Sequence, residues 1–171
     1  CSEQSAPNGQ GVYGAWITDQ SGRAMPDPQP SGLVSWRGRL VSLSDGSAAD
    51  QHKLSLHRIR KSDAALVESS LKMHITAEIA NSCFADYLSD SPDLEALAVD
   101  PRDDRVFVAV TEDATRAGSY SFPCRTRYNL TGSTEFPTLL IRLYLGDDGV
   151  LQMTDVRPVQ FKAKHAVGDF P

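Results

Sequence analysis

Apolar and polar positions alternate most clearly between Asp93 and Asp113, in the phrase DLEALAVDPRDDRVFVAVTED. Leu94, Leu97 and Val99 form one short apolar run, and Val106, Val108 and Val110 form a second. Pro101-Arg102-Asp103-Asp104 separates them, so the pattern predicts two antiparallel strands, Leu94–Asp100 and Arg105–Thr111, joined by a turn. A weaker copy lies upstream. Gly32–Trp36 and Arg39–Ser44 read as a strand pair about the turn Arg37-Gly38, ending at Asp45.

Two further strands follow each pair. Leu54–Ile59 and Leu66 to about His74 complete the first group. Thr138–Leu145 and Val150–Val156, about the hairpin signal Gly146-Asp147-Asp148-Gly149, complete the second. Val67, Leu71, Ile75 and Ile79 also recur every four residues, which is a helical stripe. The stretch is therefore divided: strand to His74, then one short helix from Thr76, its N-cap, through Tyr87, with Ile79 and Phe84 facing inward. Val12–Thr18 alternates well enough for a strand of its own, and Asp19–Pro30 is a proline-containing loop.

The expected fold class is all-β, with two four-stranded antiparallel units at about 30–75 and 93–160. The phrase Leu56-His57-Arg58-Ile59 matches Leu140-Ile141-Arg142-Leu143. Four strands, repeated with a matched position, suggest β-propeller blades. Corresponding points lie about 64 residues apart at the first strand and 84 at the third, longer than a compact blade of about 40–50. A β-sandwich of two similar sheets is the alternative. Closing a propeller takes about four blades, so two imply a larger assembly, completed by further C-terminal blades or by a protein partner.

Composition narrows the classes. The chain has 171 residues, 40% apolar and 23% charged, with a net charge of −5, which suits one folded domain. No apolar run approaches 18 residues, the length of a transmembrane helix. No basic face is evident, which argues against nucleic acid. Cys83 and Cys124 are the natural disulfide pair, a bond that needs an oxidising compartment. Two buried free thiols are the alternative.

Cys1 and the small polar tether after it (residues 1–11) look like a mature bacterial lipoprotein, with Cys1 carrying the lipid. Acyl chains there would hold the protein on a membrane. Ser2 resembles the residue that directs such proteins to the outer membrane, facing the periplasm or the cell surface. The plainer reading is an arbitrary chain start on a cysteine.

The phrases SGLVSWRGRLVSLSD and DLEALAVDPRDDRVFVAVTED resemble blade entries of a bacterial family known by the phrase "esterase-like activity of phytase", with the SdiA-regulated proteins as neighbours. Glu95-Ala96-Leu97-Ala98 fits its acidic-Gly-Leu-Ala pattern with Ala for Gly, and Ser31-Gly32-Leu33-Val34 fits with Ser for the acid. The likeness covers residues 30–160 and implies a propeller, within a domain expected over 12–171, and calcium-assisted phosphoester hydrolysis.

Candidate chemistry sits in carboxylates at strand ends: Asp45, Asp93, Glu95, Glu112 and Asp113. Hard oxygen ligands of this kind suit Ca²⁺, and a bound ion would polarise a phosphate and activate a water. The plainer reading makes them caps on a solvated rim. Arg116, Arg125 and Arg127 have the chemistry to clamp a phosphate or carboxylate, or simply to balance neighbouring acids. His52, His57, His74 and His165 lack any metal-binding spacing and read as scattered surface or structural residues. Trp16 and Trp36 read as core. The leading expectation is an envelope-anchored binding or assembly module, with a calcium-dependent phosphoesterase as the alternative.

Overall fold

A computed structural model of the chain describes residues 14–90, 92–112 and 138–159. The protein is mostly β. Its first four strands are β1 (Pro30–Trp36), β2 (Arg39–Ser44), β3 (Ser55–Ile59) and β4 (Leu71–Ile75). Two short helices follow, α1 (Ala77–Ala80) and α2 (Ala85–Asp90), and then β5 (Leu94–Asp100), β6 (Asp103–Thr111), β7 (Leu139–Leu145) and β8 (Leu151–Pro158). Each set of four is an antiparallel meander.

Turn chemistry fixes the hairpins. Arg37 and Gly38 have φ of 45° and 78°, the left-handed pair that matches the twist of flanking strands. In the β7–β8 hairpin Gly149 takes φ 78°, and Gly146 N–H donates to Val150 O at 2.9 Å. Thr76 caps α1, its side chain accepting from Ile79 N–H. The single helix expected from Thr76 to Tyr87 breaks at Asn81, where Asn81 Nδ2–H donates to Ala77 O, Ser82 N–H donates to Ile79 O and Ser82 Oγ accepts from Phe84 N–H. Ile79 and Phe84 are buried, as the pattern predicts.

The two meanders are not separate blades. β4 and β8 pair in parallel through Met73–Leu151, His74–Gln152 and Ile75–Met153. They merge into one mixed eight-stranded sheet, ordered β1-β2-β3-β4-β8-β7-β6-β5. That sheet curls into a nearly closed barrel in which β1 and β5 lie against each other. The inner faces of the two meanders cover each other. Phe107, Ile141, Leu143, Leu151 and Met153 from the second meander share one core with Val41, Leu43 and Leu56 from the first.

The repeat in the sequence also misleads at the third strand. Leu56 points into the main core, whereas Leu140 is exposed and Ile141 takes the inward place. A one-residue offset in a strand turns every side chain to the other face, so the two matching phrases present opposite sides. Val12–Thr18 forms no strand within the described residues; Thr18 makes only isolated bridges to Ala24 and Ala65. The fourth strand begins at Leu71, not Leu66, which makes a single bridge to Ile59.

β2 and β3 are covered on both sides. Val41, Leu43 and Leu56 face the barrel interior, while Leu40 and Ile59 join a second, smaller cluster with Met25, Leu66, Ile17 and Ala64. Side chains alternate along a strand, which places Ser42, Ser44, Ser55 and His57 on this second face. All four are buried.

Candidate metal centre

The barrel closes between β1 and β5 without a ladder of backbone hydrogen bonds. Side chains hold this seam. At one end Ser31 Oγ donates to Leu94 O at 2.6 Å and lies 3.2 Å from Glu95 Oε2. At the other, Trp36 Nε1–H donates to Asp104 O, and Arg37 grips the Asp104 carboxylate through two contacts of 2.6 and 2.8 Å. That guanidinium holds the Asp104 carboxyl below its ordinary range. Between the ends the strands nearly touch at Gly32, whose φ is +44° and whose missing Cβ would stand 2.7 Å from Leu97 N.

Three of the five carboxylates singled out in the sequence converge at the Ser31 end. Asp45 follows the last residue of β2, Asp93 precedes the first of β5, and Glu95 lies within β5. One oxygen from each falls within 4.8 Å of the others. Asp45 comes from the first meander and Asp93 and Glu95 from the second, so the cluster straddles the seam. Local bonds orient its members. Asp45 Oδ1 accepts from Ser47 Oγ at 2.6 Å and from Ser47 N–H. Asp45 N–H donates to Gln29 O at 3.1 Å, and Asp93 N–H donates to Tyr87 Oη at 3.0 Å.

Among the described residues no basic side chain forms an ion pair with any of the three. Carboxylates that share a site without a counter-charge repel one another, and oxygen-only donors suit a hard cation such as Ca²⁺. The donor set therefore fits calcium in kind. Glu112 shares this end of the barrel through its backbone, Glu112 N–H donating to Asp93 O at 3.0 Å. Its carboxylate is not one of the three that meet.

Asp113, Arg116, Arg125, Arg127, Cys1 and Cys124 lie outside the described residues. Cys83 is disulfide-bonded, with its partner also outside them. Trp36 is core, its ring tilted at 55° to that of Phe107 with centroids 5.5 Å apart, but Trp16 is 75% exposed, against the core reading.

Sequence reasoning took His57 for a scattered surface or structural residue and did not see the polar cluster around it. It is fully buried, with Nε2 2.8 Å from Ser44 Oγ and Nδ1 2.6 Å from Ser70 Oγ. The signal was available: Ser42, Ser44, Ser55 and His57 fall on one alternating face of two paired strands. That face reads as solvated until the 14–29 segment is seen to cover it. No family model, no curated protein and no solved structure matches the chain. The likeness to the phytase-like family rests on the quoted phrases alone.

Proposed function

We propose that the chain is a binding module of the bacterial envelope, tethered through a lipid on Cys1, in which one calcium ion joins the two meanders at Asp45, Asp93 and Glu95. The observation that carries the calcium reading is the cluster itself: three carboxylates from both sides of an unladdered seam, with no basic partner among the described residues. Bound there, the ion would neutralise the cluster and tie β2 to β5. The envelope reading is supported by the cysteine at position 1 and the small polar residues that follow it.

Calcium would also supply Lewis-acid chemistry to a phosphoester held at the same place. Such a reaction needs groups to orient the ester, and Arg116, Arg125 and Arg127 are the sequence candidates. The binding module is the simpler reading of the described residues.

Two measurements test it. Intact mass of the natural protein is expected to show acyl chains on Cys1, and an unmodified amino terminus would remove the anchor. Calcium at 100-fold over its dissociation constant adds about 2.7 kcal/mol to folding, or roughly 5–10 °C in Tm for a chain of this size. A rise of that size without phosphate release from a generic phosphoester supports the module. A rise with calcium-dependent release replaces it by the phosphoesterase, and no rise removes calcium from both.

A further inference from the structure

Beneath the 45–54 excursion, which leads from Asp45 to the start of β3, lies a polar cluster that the calcium reading does not use. His57 on β3 is buried against Ser44 at the end of β2 and Ser70 just before β4. Hydrogen-bond roles fix its tautomer. Ser44 has one hydroxyl proton, and it goes to Pro28 O, which only accepts. Ser44 Oγ must then accept from His57 Nε2–H. This leaves Nδ1 bare, accepting from Ser70 Oγ–H.

Among the described residues, the other titratable groups acting on the ring are basic. His52, on the excursion, stands edge-on with its ring centroid 5.6 Å away, and its own Nε2 is buried without a hydrogen-bond partner. Lys72 on β4 is the third basic group, its Nζ donating to Gln51 O at 2.7 Å and to Lys53 O at 3.1 Å. The one carboxylate bonded in this turn, Asp50, is engaged by Lys53 at 2.9 Å. The turn is also strained where it enters β3, because Leu54 holds φ at 50°, a left-handed conformation unfavourable to a bulky side chain.

We propose that His52, His57 and Lys72 form an acid-operated latch: protonation of His57 at Nδ1 places uncompensated positive charge under the 49–54 turn and releases it. The Ser70 hydroxyl must first rotate from donor to acceptor. The new imidazolium then faces Lys72, the group that pins the turn. The strain at Leu54 is relieved as the turn lifts. Asp45 stands at the far end of the same excursion, so unlatching also frees the chain that presents it; that consequence rests on the calcium reading, whereas the latch does not.

Burial, reinforced by His52 and Lys72, lowers the His57 pKa from 6.5 to about 4. A depressed histidine binds its proton more readily in the unfolded chain. Stability is therefore complete above pH 6.5 and falls as the pH drops from 6.5 towards 4. The folded-to-unfolded ratio loses roughly 300-fold across that window.

Side-chain ¹⁵N NMR on the full chain, with urea unfolding and amide exchange at stepped pH, tests the latch. The expected result is a neutral His57 protonated on Nε2 at pH 7 and titrating near 4. Exchange at His52, Lys53 and Met73, whose N–H groups bond to Ala49 O and Leu54 O, is expected to accelerate first as the pH falls. Lys72→Gln, at an exposed position, is expected to raise the His57 pKa and shrink the 300-fold loss severalfold. His57→Gln is expected to abolish that loss if it folds. A proton on Nδ1, titration near 6.5, or a pH dependence that Lys72→Gln leaves unchanged would overturn the proposal. If the latch stands while calcium affinity ignores pH, only the link to Asp45 fails.

Discussion

The two meanders have the same strand order and share one core, but only the first is also covered on its outer face. In the second, β6 and β7 put Phe107, Ala109, Ile141 and Leu143 into the barrel and leave Leu140 and Arg142 exposed. Hydrophobic burial on one face is enough to specify it. The first is sandwiched, with an apolar inner face and a second face of Ser42, Ser44, Ser55 and His57 beneath the 14–29 segment and the 45–54 excursion. Among the described residues, four of the five buried polar side chains lie there. Buried polar groups must find partners, so this half depends on geometry where the other depends on area. The acid cluster takes members from both.

The largest test of that contrast is in the second meander. Phe107→Ala removes a fully buried ring packed against Trp36, with an expected loss of about 3–5 kcal/mol by urea unfolding. Leu140→Ala on the exposed face of the same sheet is expected to change stability by about 0.5 kcal/mol or less. Equal losses at both positions would remove the inside–outside distinction.

At the seam, Gly32→Ala sets a Cβ against the backbone of Leu97 and asks alanine to hold φ +44°. The expected loss is about 1–3 kcal/mol. If the variant is as stable as the parent, β1 and β5 do not approach as closely as described.

In the first meander Ser44→Ala strips His57 Nε2–H of its acceptor in a buried place. The expected cost is about 1–3 kcal/mol, against about 0.5 or less for Thr154→Ala on β8, whose hydroxyl contacts Arg142 in an exposed setting. Similar costs would mean that the polar face is not sealed. The smallest effect is expected for Arg37→Ala. Its pair with Asp104 is solvent-exposed, and high salt should erase what difference remains.

Strand existence was legible because β6 and β7 bury largely alternate residues and the turns carry Asp, Pro and Gly at the required places. The assembly of strands was not. Leu33 is 60% exposed while Leu97, its counterpart in the repeated motif, packs on the core. Local likeness carries no information about which face a strand turns inward. The parallel β4–β8 pairing joins residues far apart in sequence through three short contacts, and no local pattern encodes it. The acid cluster was half legible: strand-end position picked out Asp45, Asp93 and Glu95, but equally Glu112, whose carboxylate stays apart. His57 stayed hidden because burial by a loop leaves no periodic trace.

Calorimetric titration of calcium into the full chain tests the central claim most directly. One saturable site per chain is expected, lost on Asp93→Asn and sharply weakened on Asp45→Asn, although these residues belong to different meanders. Absence of saturable heat, or binding that survives Asp93→Asn undiminished, would contradict it.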